Sequence, residues 1–230
     1  MAKLIGVLSL VFLVWMSGCG GNKGEETRSV PSEEKASMVV STPAVPVEQR
    51  AVVPAEKGAF KVFPVYSDKS SPDNHFIPSG WMGDYMDIKF EDASGDNPHG
   101  GATCIKVTYN SKATGGARWA GIYWQYPANN WGGVDKSHDL GGATKLTFWI
   151  RGEKGGEVIQ EIKMGGISGE YSDSDTAGVG PLTLTSEWKQ YTIDLSGRDL
   201  THIIGGFVWS TNIDVNPDGV IFYLDDIKYE

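Results

Sequence analysis

Three short runs near the C-terminal end decide the fold: WKQYTIDL (Trp188–Leu195), IIGGFVW (Ile203–Trp209) and VIFYLDDIKY (Val220–Tyr229). Each is five to ten residues of β-branched and aromatic side chains, and Gly, Asp, Asn and Pro separate them, as in Asp214-Val-Asn-Pro-Asp-Gly219. Runs of this length and composition predict strands joined by turns. The pattern continues upstream as Tyr85–Glu91, Ala102–Tyr109, Trp119–Tyr126, Thr144–Ile150 and Val158–Met164, with weaker candidates at Phe60–Tyr66 and Pro181–Thr185. No stretch of helical length sustains apolar residues at three- and four-residue spacing. The connections are too short for parallel crossovers, which leaves antiparallel pairing in an all-β, two-sheet sandwich.

Alternation along a strand assigns faces. Leu146, Phe148 and Ile150 point to the core, leaving Lys145, Thr147, Trp149 and Arg151 on the opposite side. Ile105, Val107 and Tyr109 point inward, with Cys104, Lys106 and Thr108 outward; Cys104 is either accessible there or, as is commoner for a free cysteine, structural. In Tyr85–Glu91 the inward set is Met86, Ile88 and Phe90, and the outward set is Tyr85, Asp87, Lys89 and Glu91.

The bulk composition fits one such domain. The chain has 230 residues, 40% of them apolar and 11% aromatic, with 30 glycines and eight tryptophans. A net charge of -9 opposes broad attraction to phosphate backbones and excludes nucleic acid as an expected partner. Two cysteines cannot form a disulfide framework once one is assigned to lipid chemistry.

That assignment comes from the N-terminal end. Met1–Lys3 is a short basic start, and Leu4–Met16 (LIGVLSLVFLVWM) is an apolar run of signal-peptide length, shorter than the ~20 residues of a permanent span. Met16-Ser17-Gly18-Cys19 resembles the bacterial lipobox, with Met16 standing where the family usually has leucine. The resemblance implies removal of residues 1–18 and lipidation of Cys19. Because Gly20 is not acidic, it also implies the cell envelope, with the outer membrane favoured in an organism that has one. Residues 19–58 are rich in Pro, Ser and Glu and read as a disordered tether, leaving 59–230 as the globular domain.

Trp188–Leu195, Ile204–Trp209, Phe222–Glu230 and the LTFWI run at Leu146–Ile150 together resemble the end of jelly-roll carbohydrate-binding modules with the galactose-binding-like fold. The resemblance implies a polysaccharide- or oligosaccharide-binding surface and a structural calcium ion. Asp225 is the position that matches the family's final-strand carboxylate ligand, with Asp226 as the alternative and Asp68 as a second ligand near the start of the domain.

Sugar rings present flat C–H faces, so tryptophan stacking beside polar side chains is the chemistry to look for. Trp149 is the first candidate, because its neighbours in alternation are Lys145, Thr147 and Arg151. Arg151, Trp124, Trp131, Trp81, Tyr85 and Asp87 complete the candidate set. Within Trp119–Tyr126, each of Trp119, Tyr123 and Trp124 serves either the core or a ligand, and alternation alone leaves that open.

Catalytic signals are poor. His75, His99, His138 and His202 occur singly, and the carboxylate pairs Glu157/Glu161 and Asp87/Glu91 are the only hydrolase-like spacing. Asp214–Gly219 mimics a calcium loop numerically, but the strand that follows makes it a hairpin turn. The expected function is therefore a membrane-anchored, non-catalytic polysaccharide-binding lipoprotein. The alternatives are a structural or assembly lipoprotein with a protein partner in the envelope, and a glycoside hydrolase or lyase.

Overall fold

The computed structural model describes residues 59–230; the expected signal peptide, Cys19 and the expected tether lie outside the described residues. Thirteen strands follow in order: β1 (Phe63–Tyr66), β2 (Ile77–Gly83), β3 (Ile88–Ser94), β4 (Cys104–Tyr109), β5 (Trp119–Gln125), β6 (Lys145–Gly152), β7 (Val158–Ile159), β8 (Glu161–Gly165), β9 (Thr176–Val179), β10 (Leu182–Thr183), β11 (Lys189–Asp194), β12 (Gly205–Asn212) and β13 (Val220–Tyr229). Sheet A has six strands, ordered β11-β6-β13-β4-β3 with β1 also pairing β13. Sheet B has five, ordered β2-β5-β12-β8-β9, and β7 pairs only with β10. Every pairing is antiparallel. The chain passes directly between the sheets from β1 to β2, β2 to β3, β4 to β5, β5 to β6, β11 to β12 and β12 to β13, which makes the two-sheet jelly roll.

The sheets stack through the faces that alternation assigned. Phe148 and Phe222 of sheet A meet Phe207 and Trp209 of sheet B edge to face, with ring centroids 5.6 Å and 5.0 Å apart. Leu146, Phe148, Ile150, Ile105, Val107 and Tyr109 are all buried in this core.

Several expectations are corrected. Tyr85–Asp87 is a 3-10 turn, and the strand starts at Ile88. Met86, assigned inward, is 61% exposed, while Asp87, assigned outward, is buried. The cause is local. Asp87 reaches the Thr114 amide at 3.1 Å and the Thr114 hydroxyl, and the turn that permits this breaks the strand period. Val158–Met164 divides at Gln160 into β7 and β8, which have different partners. Strand β2 (IPSGWMG) escaped the sequence reading because Pro78 and Gly80 signal turns; as an edge strand it tolerates a missing donor. Asp214–Gly219 does turn the chain, but it joins sheet B to sheet A and closes no hairpin.

Candidate functional site

The outer face of sheet A holds Trp149 and Arg151, and the segment Gly95–Thr103 folds back over it. Three carboxylates anchor this segment. Asp225 is completely buried; its Oδ2 accepts the His99 amide at 2.9 Å and the Gly100 amide at 3.1 Å, and its Oδ1 accepts the Asp226 amide at 2.9 Å. Burial pushes its pKa up to about 6 against the lowering effect of those amides. A bulge between Asp225 and Lys228, with Asp226 in the left-handed region at φ 45°, turns the next carboxylate the same way. Asp226 Oδ2 lies 2.7 Å from His99 Nδ1. Asp68 Oδ1 accepts the amides of Ala102 at 3.0 Å and Thr103 at 2.7 Å and the Thr103 hydroxyl at 2.9 Å, which together hold its carboxyl below the usual range.

The segment closes what the sequence read as an open face. His99 stacks on Trp149 with centroids 3.7 Å apart and planes 17° from parallel, so one face of the indole is taken. Arg151 is 8% exposed, lies 3.6 Å above the Tyr223 ring, and donates from Nη2 to the Asp96 carbonyl at 2.8 Å. Trp188 Nε1 donates to the Asn97 carbonyl at 2.9 Å. Cys104 is buried beneath, and burial raises its thiol pKa to about 11. Alternation tells which side of a strand a residue occupies; whether a distant loop covers that side lies beyond it.

The same contacts bear on calcium. Both oxygens of Asp225 and Oδ1 of Asp68 face N–H and O–H donors, and Asp226 Oδ2 faces an imidazole. Among the described residues no group of three or more His, Cys, Asp or Glu side chains converges as a metal cage. In this structure Asp225, Asp226 and Asp68 act as loop anchors through these hydrogen bonds.

Sheet B presents the more open outer face. Along β5, Trp119, Gly121 and Tyr123 point outward, while Ala120, Ile122 and Trp124 enter the core. Trp119 is 39% exposed. Tyr123, ~13 Å further along at ~3.3 Å per residue, lies under Trp131, which stands edge-on to it at 5.8 Å and is 45% exposed. Tyr123, Ile167, Ile204 and Val208, with Met82 beside them, form a small apolar cluster that gives this end a firm base.

Two loops fix Trp131. Their contact is so close that a Cβ on Gly132 would meet the Ser168 carbonyl oxygen at 2.7 Å, so glycine is required there. Asp173 ties the second loop to β12, accepting the Ile167 amide at 2.7 Å and the amides of Ile204 and Gly205; burial raises its pKa. Between Trp119 and the far edge of the sheet lie two shallow hollows of about 420 and 520 Å3 that share Gln160 and Ser210. Arg118, Asn212 and Asp214 border the first, and Glu161 and Gly178 the second.

The remaining candidates separate. Trp124 is 1% exposed and packs against Phe90 and Phe207 in the core. Trp81, 38% exposed, sits at the sandwich edge against Phe90. Tyr85 is exposed on its turn, and Asp87 serves the loop at Thr114. The possible acid pairs have other partners: Glu157 accepts the Lys154 amide at 2.7 Å, Glu161 pairs with Lys163, and Glu91 pairs with Lys89. Gln160, Ser210 and Asn212 escaped sequence reading altogether, because polar residues on a strand such as β12 or at a break such as Gln160 carry no signal by type.

This architecture defines an antiparallel jelly-roll sandwich, and solved structures share it. The chain is similar to a family 30 carbohydrate-binding module, with 16% identity, a TM-score of 0.51, and coverage of 74% of this chain and 87% of that one. It is equally similar to the family 30 module of a cellulosomal cellulase of Clostridium thermocellum, at 16% identity and TM-score 0.51, covering 97% of that chain. A third family 30 structure gives 15% identity and a TM-score of 0.52 over 98% of its length. At such identity the likeness establishes the fold, and a fold of this kind hosts many functions. No protein-family model matches the sequence, and no curated protein does.

Proposed function

We propose that the protein is a lipid-anchored, non-catalytic lipoprotein of the cell envelope that binds a polysaccharide chain across the outer face of sheet B. The observation that carries this reading is the pair of exposed indoles, Trp119 and Trp131, at the two ends of an open strand face, with Gln160, Ser210 and Asn212 beside Trp119. Rings stack on C–H faces while amides and hydroxyls bond sugar hydroxyls, and the ~13 Å along β5 from Trp119 to Tyr123, over which Trp131 stands, suits a chain better than a single ring. The family 30 likeness and the resemblance of the closing strands support the same ligand class. The anchor rests on the Met16-Ser-Gly-Cys19 lipobox resemblance.

Affinity electrophoresis across β-glucans, xylans, mannans and galactans tests the binding. At least one should retard the wild type, and Trp119→Ala and Trp131→Ala should each reduce that retardation. Unchanged migration in every gel would discard the reading in favour of a protein partner. Radiolabelled palmitate should enter the wild type and not a Cys19→Ser variant.

A further inference from the structure

The connection between β5 and β6 carries Trp131 early and His138 further on. Buried Asn130 folds its first part into one unit. Its Oδ1 accepts the amides of Gly132 at 3.1 Å and Val134 at 3.2 Å, and its Nδ2 donates to the carbonyls of Val134 at 3.0 Å and Lys136 at 3.2 Å. Just beyond this unit, His138 fastens the connection to the rest of the domain. Its backbone exchanges two hydrogen bonds with Ile203, both of 2.9 Å. Its ring stacks on Tyr126 at 3.9 Å and meets Phe63 and Phe76 edge to face, each at 4.9 Å. Nε2 lies 3.2 Å from the His75 carbonyl and donates to it, since a carbonyl only accepts.

His75 enters the same aromatic cluster from the β1–β2 connection. Its ring stacks on Phe63 at 3.9 Å and lies 5.9 Å from the His138 ring. Among the described residues neither of these imidazoles pairs with a carboxylate, whereas His99 meets Asp226 and His202 meets Asp135. The charges that bear on His75 are Asp73, which favours its proton, and Lys61, which opposes it; the one that bears on His138 is His75 itself. Burial is the largest cause holding both rings below the usual histidine value. The faces of Phe63 and Tyr126 attract a cation, but two imidazoliums this close repel across the same poorly solvated space.

We infer that His75 and His138 form a pH-sensitive latch on the Trp131 loop: neutral, they clamp the β5–β6 connection to the β1–β2 connection, and protonated, they release it. The consequence for ligand binding rests on the polysaccharide reading, whereas the opening of the loop does not. The released rings take up protons that the latched rings refuse. Latching is therefore at full strength above pH ~6.5 and weakens as pH falls, by up to about tenfold per pH unit for each ring. His202 acts in the opposite sense, because a proton on it strengthens its 3.7 Å pairing with Asp135 of the same connection. That gain is small, since the Asp135 side chain is 72% exposed.

Amide hydrogen exchange on the full-length chain, followed by NMR and expressed as protection factors, reads the latch without any ligand. Between pH ~7.5 and ~5, protection of Val134 and His138 should fall about tenfold or more beyond any fall at Phe207 and Trp209 of β12, which report opening of the whole sandwich. The double variant His75→Phe/His138→Phe keeps two rings and has no proton to gain there, so its protection should hold. His75→Phe alone, which keeps the His138 bond to the backbone carbonyl, should shrink the fall. A polysaccharide that retards the wild type at the higher pH should retard it less at the lower, each measured against a gel without polysaccharide, while the double variant is retarded alike at both. The inference is overturned if wild-type protection at Val134 and His138 ignores pH or falls only in step with β12, if the phenylalanine variants lose it equally, or if the loop opens while retardation stays the same. Gels without retardation at the higher pH would count against the polysaccharide reading alone, and the exchange data would still decide the latch.

Discussion

Removing the Asp225 carboxylate should loosen the cover over sheet A, and the structure supplies the magnitude. In Asp225→Ala, three N–H donors, those of His99, Gly100 and Asp226, lose their acceptor. Orphaning a buried donor costs ~1–3 kcal/mol, and for these part-buried amides, which can regain water, the low end applies, ~3 kcal/mol for three. The loss is ~3 kcal/mol, or ~6–12 °C in melting temperature for a domain of this size.

The pH dependence carries a sign of its own. Between about pH 4 and 6 the folded state holds a proton on Asp225 that the unfolded chain has released. This contribution to stability is complete below pH ~4 and fades as pH rises through the folded pKa. Asp225→Asn, which keeps one acceptor and no charge, should lose less stability than the alanine variant and should lack this pH component. Thermal denaturation by circular dichroism at several pH values measures both effects, and limited proteolysis should cut the Gly95–Thr103 segment sooner in the alanine variant. An alanine variant that melts with the wild type and resists protease equally would refute the anchoring role.

Other outcomes follow from the same contacts. Because the carboxylates face amides and an imidazole, chelator and millimolar calcium should give one melting curve; a calcium-dependent rise would show a cation site among them. Trp131→Ala should lower polysaccharide affinity by ~1–3 kcal/mol while Trp149→Ala leaves it unchanged, and the opposite pattern would move the site to sheet A. Cys104 should resist a thiol reagent at pH 8 in the native protein and react in urea, since burial raises its pKa to about 11. Burial lowers the pKa values of His75 and His138, so below pH ~6.5 the unfolded chain takes up protons that the folded one refuses. Stability in an Asp225→Asn background should therefore fall as pH drops through this range, and a flat profile would contradict the burial of the two rings.

The sequence by itself determined the sandwich. Alternation placed Leu146, Phe148, Ile150, Ile105 and Val107 in the core, because a pleated strand sends neighbouring side chains to opposite faces whatever the rest of the chain does. It lost accuracy where side-chain chemistry broke that period, as at the Asp84–Asp87 turn, and at an edge strand such as β2, where Pro78 is harmless because its missing N–H has no partner to lose. Only the tertiary structure decided which outward faces are open. Trp149 and Arg151 point away from the core as their positions require, yet Asp225, Asp226 and Asp68 draw a segment from the β3–β4 connection across them. Trp119 and Trp131 stay exposed on sheet B. Exposure is set by loops that return from distant parts of the chain, and strand periodicity holds no record of where those loops land.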